Sequence, residues 1–89
     1  MNLILLNGKR MTNKVKAHRY LKRKLKFPDY YGENLDALWD ELSTIAEPTD
    51  IKFINKDILI ENLGTYGEEI IRTFVDAAEE NKNIGFEVI

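Results

Sequence analysis

Three short apolar runs separated by segments of helical periodicity most restrict the fold of this chain. The runs are residues 3–6, the segment around Ile51 and Phe53, and residues 84–89. Two helical segments lie between successive runs, and strands joined by helical crossovers are parallel. The wholly apolar run at residues 3–6 is typical of a strand covered on both faces. The pattern predicts a small α/β domain, residues 1–89, with a three-stranded parallel sheet in the order β-αα-β-αα-β.

The bounds of the first two helices follow from capping residues and breakers. Thr12 or Asn13 is placed to cap a helix that runs to about Lys26, before a proline stops it. Asn34 is placed to cap the second helix, which should end near Ser43. We expect a loop between these two helices.

Between the second and third strands the sequence predicts a short helix and then a longer one. Residues 58–63 should form the short helix, which Gly64 ends. Thr65 and Glu68 have the spacing of a capping box, in which a hydroxyl and a carboxylate each accept from a free helix donor. The longer helix should therefore begin at this box.

The charges of the chain are divided between its two parts. The net charge is -2, yet residues 1–28 hold nine Lys and Arg and no acid, whereas residues 29–89 hold all 15 acids and only four bases. If the two parts lie on different sides of the fold, the resulting dipole would orient a charged partner during approach. The alternative is that both are simply solvated helix faces.

Composition excludes several classes of function. The chain has no cysteine, so it has no disulfide, thiolate metal site or cysteine nucleophile. No run approaches the roughly 18 apolar residues of a membrane helix. The basic residues follow the first apolar run rather than precede it, unlike a secretory signal, so we expect a cytoplasmic protein. The only histidine, His18, lies among bases on a helix, where packing or surface exposure is favoured over catalysis. We expect no enzyme, catalytic residue or cofactor.

Two pairs of acids share helix faces at i, i+4 spacing, which costs about 0.2 to 0.5 kcal/mol per pair through repulsion. The pairs are Asp36 with Asp40, and Asp76 with Glu80. A magnesium site or a glycosidase-like acid and base would also use two carboxylates, but the sequence offers no third ligand and little room for a cleft. We therefore expect no metal. An interface with a cationic partner remains, and it would turn the repulsion into attraction.

The aromatic residues near the first acidic pair favour a binding role. Tyr30 and Tyr31 are adjacent, so one ring should be exposed, and an exposed ring beside carboxylates is typical of a hot spot for a basic surface. Trp39 belongs to the apolar stripe of its helix and suits either the core or its edge. The basic segment raises RNA binding as another hypothesis, but no recognised nucleic-acid module accompanies it.

The block FPDYYGENLDALWDEL, residues 27–42, resembles the barstar family of intracellular inhibitors of barnase-type ribonucleases, with weaker similarity over nearly the whole chain. The resemblance implies a helix-covered parallel sheet and a 1:1 complex in which the second helix and the loop before it block a guanyl-specific ribonuclease. The free protein should be a monomer that binds neither nucleic acid nor membrane. The implied partner-binding residues are Tyr30, Asn34, Leu35, Asp36, Trp39, Asp40, Ser43, Thr44, Asp76 and Glu80. The alternative is an immunity or binding module for a different basic protein or toxin.

Overall fold

A three-stranded parallel sheet forms one layer of the computed structural model, which describes residues 2–89. The strands are β1 (Asn2–Asn7), β2 (Thr49–Ile54) and β3 (Ile84–Val88). Their order in the sheet is β1-β2-β3, and both neighbouring pairs are parallel. The predicted α/β class and parallel sheet are confirmed, and the structure supplies the strand order.

Two helices follow β1 and two follow β2, as the sequence pattern predicts. They are α1 (Lys14–Leu25), α2 (Leu35–Ser43), α3 (Lys56–Leu63) and α4 (Thr65–Glu80). A short 3-10 turn, Gly8–Arg10, connects β1 to the start of the first helical pair. No helix in the part of the chain that the structure describes is both long and apolar enough to cross a bilayer.

Two asparagines cap the first two helices. The Asn13 side chain accepts a hydrogen bond from the Lys16 N–H at 2.8 Å, and Asn34 accepts from the Ala37 N–H at 2.7 Å. Each bond satisfies a backbone donor that has no partner within its helix. The caps predicted at these asparagines are confirmed, with Asn13 rather than the neighbouring threonine capping α1.

The capping box predicted for α4 is wrong. Thr65 is already the first helical residue, and Gly64 before it stands at the cap position without a side-chain hydrogen bond. The φ of Gly64 is 59°, a left-handed value that glycine adopts without a Cβ penalty. Because the chain turns at this glycine, α4 starts one residue too early for the Thr65 hydroxyl to act as its cap. The helix before it, α3, begins at Lys56, two residues earlier than expected.

Only one face of the sheet is well buried. Alternate residues of β2 are buried and half-buried, whereas Leu3 and Leu5 on β1 are 72% and 50% exposed. Their neighbours on the open face are charged: Leu5 pairs in register with Lys52, whose Nζ lies 2.5 Å from Glu87 Oε1. The expectation that β1 is covered on both faces is therefore wrong, because the open face of the sheet carries ion pairs and receives no helix.

The buried face of the sheet holds the core that fixes α2 and α4. Phe53 on β2 and Phe74 on α4 are fully buried, together with Leu38 and Leu42 of α2. The rings of Phe74 and Phe86 are stacked with centroids 4.9 Å apart. Fully buried side chains of this size each contribute about 1.5 to 3 kcal/mol of transfer free energy. The core therefore gives α2 a defined orientation, with one side facing outward.

Candidate protein-binding surface

The amphipathic pattern of α2 decides which of its side chains face solvent. Its apolar residues are either fully buried or half-buried against the core, and they are Leu35, Leu38, Trp39 and Leu42. Asp36 and Asp40 lie on the other side and are exposed. Trp39 thus occupies the edge of the core, where part of its ring still reaches solvent. We call the surface formed by Asp36 and Asp40 of α2 and by Asp76 and Glu80 of α4 the acidic face.

The acidic pair of α4 lies on a helix that packs directly against α2. Asp76 is half-buried and Glu80 is exposed. Both belong to the last two turns of α4, where the carboxylates lie near the negative end of the helix dipole. The four acids named from the sequence therefore come from two neighbouring helices.

None of the four acids of the acidic face has a cationic partner within the described residues. Ion pairs up to 4.0 Å in residues 2–89 involve other acids: Asp29, Glu33, Asp50 and Glu87. The same residues contain no cluster of three His, Asp or Glu side chains arranged to hold a metal ion. The charges of the acidic face are thus balanced only by solvent, and an external cationic group would gain from meeting them.

The two adjacent tyrosines before α2 point in opposite directions. Tyr30 is 82% exposed, whereas Tyr31 is 5% exposed and packs against the Phe27 ring at 4.8 Å between centroids. The prediction that one of the two rings is exposed is confirmed. Tyr31 packs the loop against the core, and the Tyr30 ring is left exposed to solvent in the loop before α2.

His18 is a structural residue of the core. Its side chain is 1% exposed, with Nδ1 2.7 Å from the Tyr31 hydroxyl and Nε2 2.6 Å from the Tyr66 hydroxyl. Burial lowers the pKa of His18, while the nearby Glu33 carboxylate partly opposes this. A neutral ring with both nitrogens engaged joins α1, the loop and α4. The sequence favoured packing or surface exposure over catalysis for His18, and its burial confirms packing.

Two ion pairs also attach the loop to α1. Lys22 Nζ lies 3.8 Å from the Asp29 carboxylate, and Arg19 Nε lies 4.0 Å from Glu33. One partner in each pair, Arg19 and Asp29, is largely exposed, so each pair contributes little to stability. Glu33 has a φ of 53°, a left-handed conformation that is uncommon for a residue other than glycine. Such strain is often found at functional sites, and here it immediately precedes the cap of α2.

Asn81, which the sequence did not identify as a site residue, stabilises the C-terminal end of α2. The Asn81 amide donates to the Leu42 carbonyl at 3.0 Å and to the Ile45 carbonyl at 3.0 Å. Asn81 follows the last residue of α4, so these bonds bring the C-terminal ends of α2 and α4 together. An asparagine after a helix indicates a cap, but no local signal identifies acceptors more than 30 residues away.

Ser43 and Thr44 complete the end of α2. The Ser43 hydroxyl oxygen is buried and has no hydrogen-bond partner among residues 2–89. Thr44 is exposed, and its hydroxyl donates to the Glu41 carbonyl at 3.1 Å. The Thr44 hydroxyl is therefore more accessible to solvent than the Ser43 hydroxyl at this end of α2.

Comparison with known proteins agrees with this arrangement of helices and sheet. The family model described as Barstar (barnase inhibitor) matches residues 1–89. The chain belongs to the barstar family. A protein of Bacillus subtilis (strain 168) with the name "Putative ribonuclease inhibitor YrdF" is 38% identical over 84 residues, which cover 93% of this chain and 92% of that protein. The barstar-family resemblance of the sequence is confirmed over the full length.

Proposed function

We propose that this chain inhibits a small, extracellular-type, guanyl-specific ribonuclease by inserting α2 and the loop before it into the enzyme's active site. Membership of the barstar family and the name of the Bacillus relative support ribonuclease inhibition in general. The complex contains one inhibitor and one enzyme, and it forms in the cytoplasm of the cell that makes both. The chain acts by binding and performs no catalysis of its own.

The observation that carries this proposal is the unpaired state of the acidic face. Its four carboxylates lie on two packed helices, and within residues 2–89 no Lys, Arg or His approaches them within 4.0 Å. An enzyme that cleaves RNA must bind phosphates, and it does so with cationic side chains. A surface of carboxylates free of internal partners is complementary to such a site.

Asp40 is the residue that we assign to the position of a substrate phosphate. Its carboxylate is exposed in the middle of α2, where the helix is held by the buried Leu38 and Leu42. Asp36, one turn earlier, pairs with a neighbouring base of the enzyme. Because the helix fixes the backbone that carries both carboxylates before binding, the complex loses little backbone freedom as it forms.

The remaining interface residues surround this acidic centre. Tyr30 packs its exposed ring on an active-site side chain, a contact that aromatic residues make favourably at interface centres. Asn34, Leu35 and Trp39 contribute the surface of α2 beside the two aspartates. Ser43 and Thr44 lie at the edge, while Asp76 and Glu80 add acidic contacts from α4.

The proposal is tested by titrating RNA hydrolysis by a barnase-type ribonuclease with the parent chain and with Asp40→Asn. We expect stoichiometric inhibition by the parent. The variant should weaken it at least about a hundredfold, because leaving a charge unpaired in an interface costs about 3 to 5 kcal/mol. Glu79→Gln is the matched control, since Glu79 is exposed on α4 outside the predicted contact set. No inhibition by the parent, or equal potency of Asp40→Asn, would contradict the proposal.

A second candidate is a barstar-fold immunity or binding module for a different basic protein or toxin. It is favoured by the same acidic face, which complements cationic surfaces in general. Capture of partners from the native cytoplasm separates the two candidates. The first requires a ribonuclease in the bound fraction, and the second a basic protein that does not cleave RNA.

A further inference from the structure

A basic pocket lies on the part of the chain that the proposed inhibitory contact does not use. It has a volume of about 360 Å³, and it is lined by Thr12, Tyr20 and five cations: Lys9, Arg10, Lys16, Arg19 and Arg23. These residues come from the 3-10 turn after β1 and from one side of α1. The pocket lining contains no acid. It therefore concentrates positive charge in a protein whose net charge is negative.

Most of this charge has no internal counterion. Among residues 2–89, the only ion pair that involves a pocket cation joins Arg19 to Glu33, at 4.0 Å. Lys9, Arg10 and Lys16 have no carboxylate within that distance in the same residues, and neither does Arg23. Cations held this close together repel one another, so an anion that bridges them would relieve the repulsion.

Two of the pocket arginines lie against an aromatic ring rather than against acids. The guanidinium carbons of Arg10 and Arg23 lie 5.7 and 5.5 Å from the centre of the Tyr20 ring. Tyr20 is 6% exposed, and its hydroxyl accepts a hydrogen bond from the Asn7 N–H at 2.9 Å. Stacking on a ring restricts a guanidinium without neutralising it, so its N–H donors stay available for an anion.

The turn that carries Lys9 and Arg10 is also fixed. The Asn7 side-chain oxygen accepts from the Lys9 N–H at 3.0 Å and from the Asn55 side-chain amide at 2.9 Å. Gly8 packs so closely that a Cβ there would collide with the Asn55 carbonyl oxygen. The backbone that carries two of the five cations is thus fixed before any ligand binds, although their side chains are exposed.

We propose that the basic pocket binds a compact polyphosphate, such as the triphosphate chain of a nucleotide. Guanidinium groups bind phosphate oxygens in pairs, and several linked phosphates match the several unpaired cations better than a single phosphate does. The volume lies at the lower end of the range of about 300 to 1,000 Å³ for small-molecule sites. A long nucleic acid is disfavoured because residues 29–89 hold 15 acids and four bases, which would repel the strand beyond the pocket.

The test is isothermal titration calorimetry of the full chain with inorganic tripolyphosphate and with ATP, at low and at physiological salt. We expect one site per chain for both ligands, with affinity that falls as salt rises. The double variant Arg10→Gln/Arg23→Gln should weaken binding at least about tenfold. Lys16→Gln should weaken it less, and because Lys16 is exposed on α1, this variant should fold as the parent does. Thermal unfolding of each variant shows that it is folded.

Lys82→Gln is the matched control, because Lys82 is an exposed cation outside the pocket. Equal weakening by Lys82→Gln, or no binding of tripolyphosphate at low salt, would overturn the proposal. Tighter binding of a short single-stranded RNA than of tripolyphosphate would overturn the compact-ligand assignment. Asp40→Asn should leave polyphosphate binding intact, because Asp40 does not line the pocket. The calorimetry therefore tests the pocket whether or not the chain inhibits a ribonuclease.

Discussion

The Nδ1 atom of His18 lies 2.7 Å from the hydroxyl oxygen of Tyr31, and this contact connects α1 with the loop in front of α2. The opposite nitrogen lies 2.6 Å from the Tyr66 hydroxyl on α4. A neutral imidazole has one donor and one acceptor, so one tyrosine donates to the ring and the other accepts from it. A protonated ring has two donors, so the tyrosine that donates to the neutral ring would have to rotate its hydroxyl and accept instead.

We expect stability to fall with pH below neutrality through His18. Its ordinary pKa is 6.5, and burial lowers that pKa in the folded state. The unfolded chain therefore binds the proton more readily, so the stabilisation is complete above about pH 6.5 and is lost as pH falls towards the lower folded-state pKa. Urea unfolding of the parent between pH 7.5 and pH 5 measures this loss.

His18→Gln is the variant that isolates the effect, because glutamine does not titrate. The variant should be less stable than the parent at pH 7.5, and its stability should change less over the same pH range. Carboxylates titrate in both proteins and cancel in the comparison. An equal pH dependence in parent and variant would show that His18 does not contribute.

Asp40→Asn should separate binding from stability. Removal of one charge from the pair with Asp36 relieves about 0.2 to 0.5 kcal/mol of repulsion, so the free energy of unfolding should stay unchanged or rise slightly at low salt. The gain should disappear at high salt, where screening removes the repulsion. Urea unfolding at two salt concentrations measures it. A clear loss of stability would mean that Asp40 has a structural role.

Asn34→Ala should destabilise the N-terminus of α2. The substitution removes the bond to the Ala37 N–H and should lower the free energy of unfolding by about 1 kcal/mol. We also expect weaker ribonuclease inhibition, because the loop and α2 meet at this residue. Chemical denaturation and an inhibition assay give the two values.

Asn13→Ala provides the matched control, since Asn13 makes the same capping bond to Lys16 on α1. It should cost a similar free energy of unfolding and leave inhibition unchanged. If both variants reduce inhibition equally, the loss reflects general destabilisation rather than the position of Asn34.

Gly8→Ala should destabilise the junction between β1 and α3. The added Cβ would collide with the Asn55 carbonyl oxygen, and overpacking of this kind costs about 1 to 3 kcal/mol. Lys9→Ala in the same turn removes an exposed side chain and should change stability by less than about 0.5 kcal/mol. Thermal unfolding compares the two, and equal stability of both variants would show that the turn can move away from Asn55.

Local patterns predicted the features that depend on a few neighbouring residues. The caps at Asn13 and Asn34 need only an acceptor three residues before a free N–H, and the spacing of Asp36 and Asp40 follows from helical periodicity. The exposure of Leu3 was mispredicted because an apolar run does not reveal which sheet face the helices cover.

Contacts between distant segments were beyond the reach of local patterns. Nothing near His18 in the sequence indicates that Tyr66, 48 residues later, supplies a hydrogen bond. The α4 capping box failed for a related reason. Its spacing was correct, but the backbone turn at Gly64 placed Thr65 inside the helix.

The Asn81 amide links the C-terminal ends of the two helices that carry the acidic pairs. By donating to carbonyls at the end of α2, this uncharged side chain helps the buried core to hold Asp40 and Glu80 at a defined separation. A substitution of Asn81 would therefore change the spacing between the carboxylates while leaving the acidic residues themselves unchanged. If the chain inhibits a ribonuclease through the acidic face as proposed, a substitution at Asn81 should change its selectivity among enzymes with differently spaced cations, although Asn81 lies outside the predicted interface.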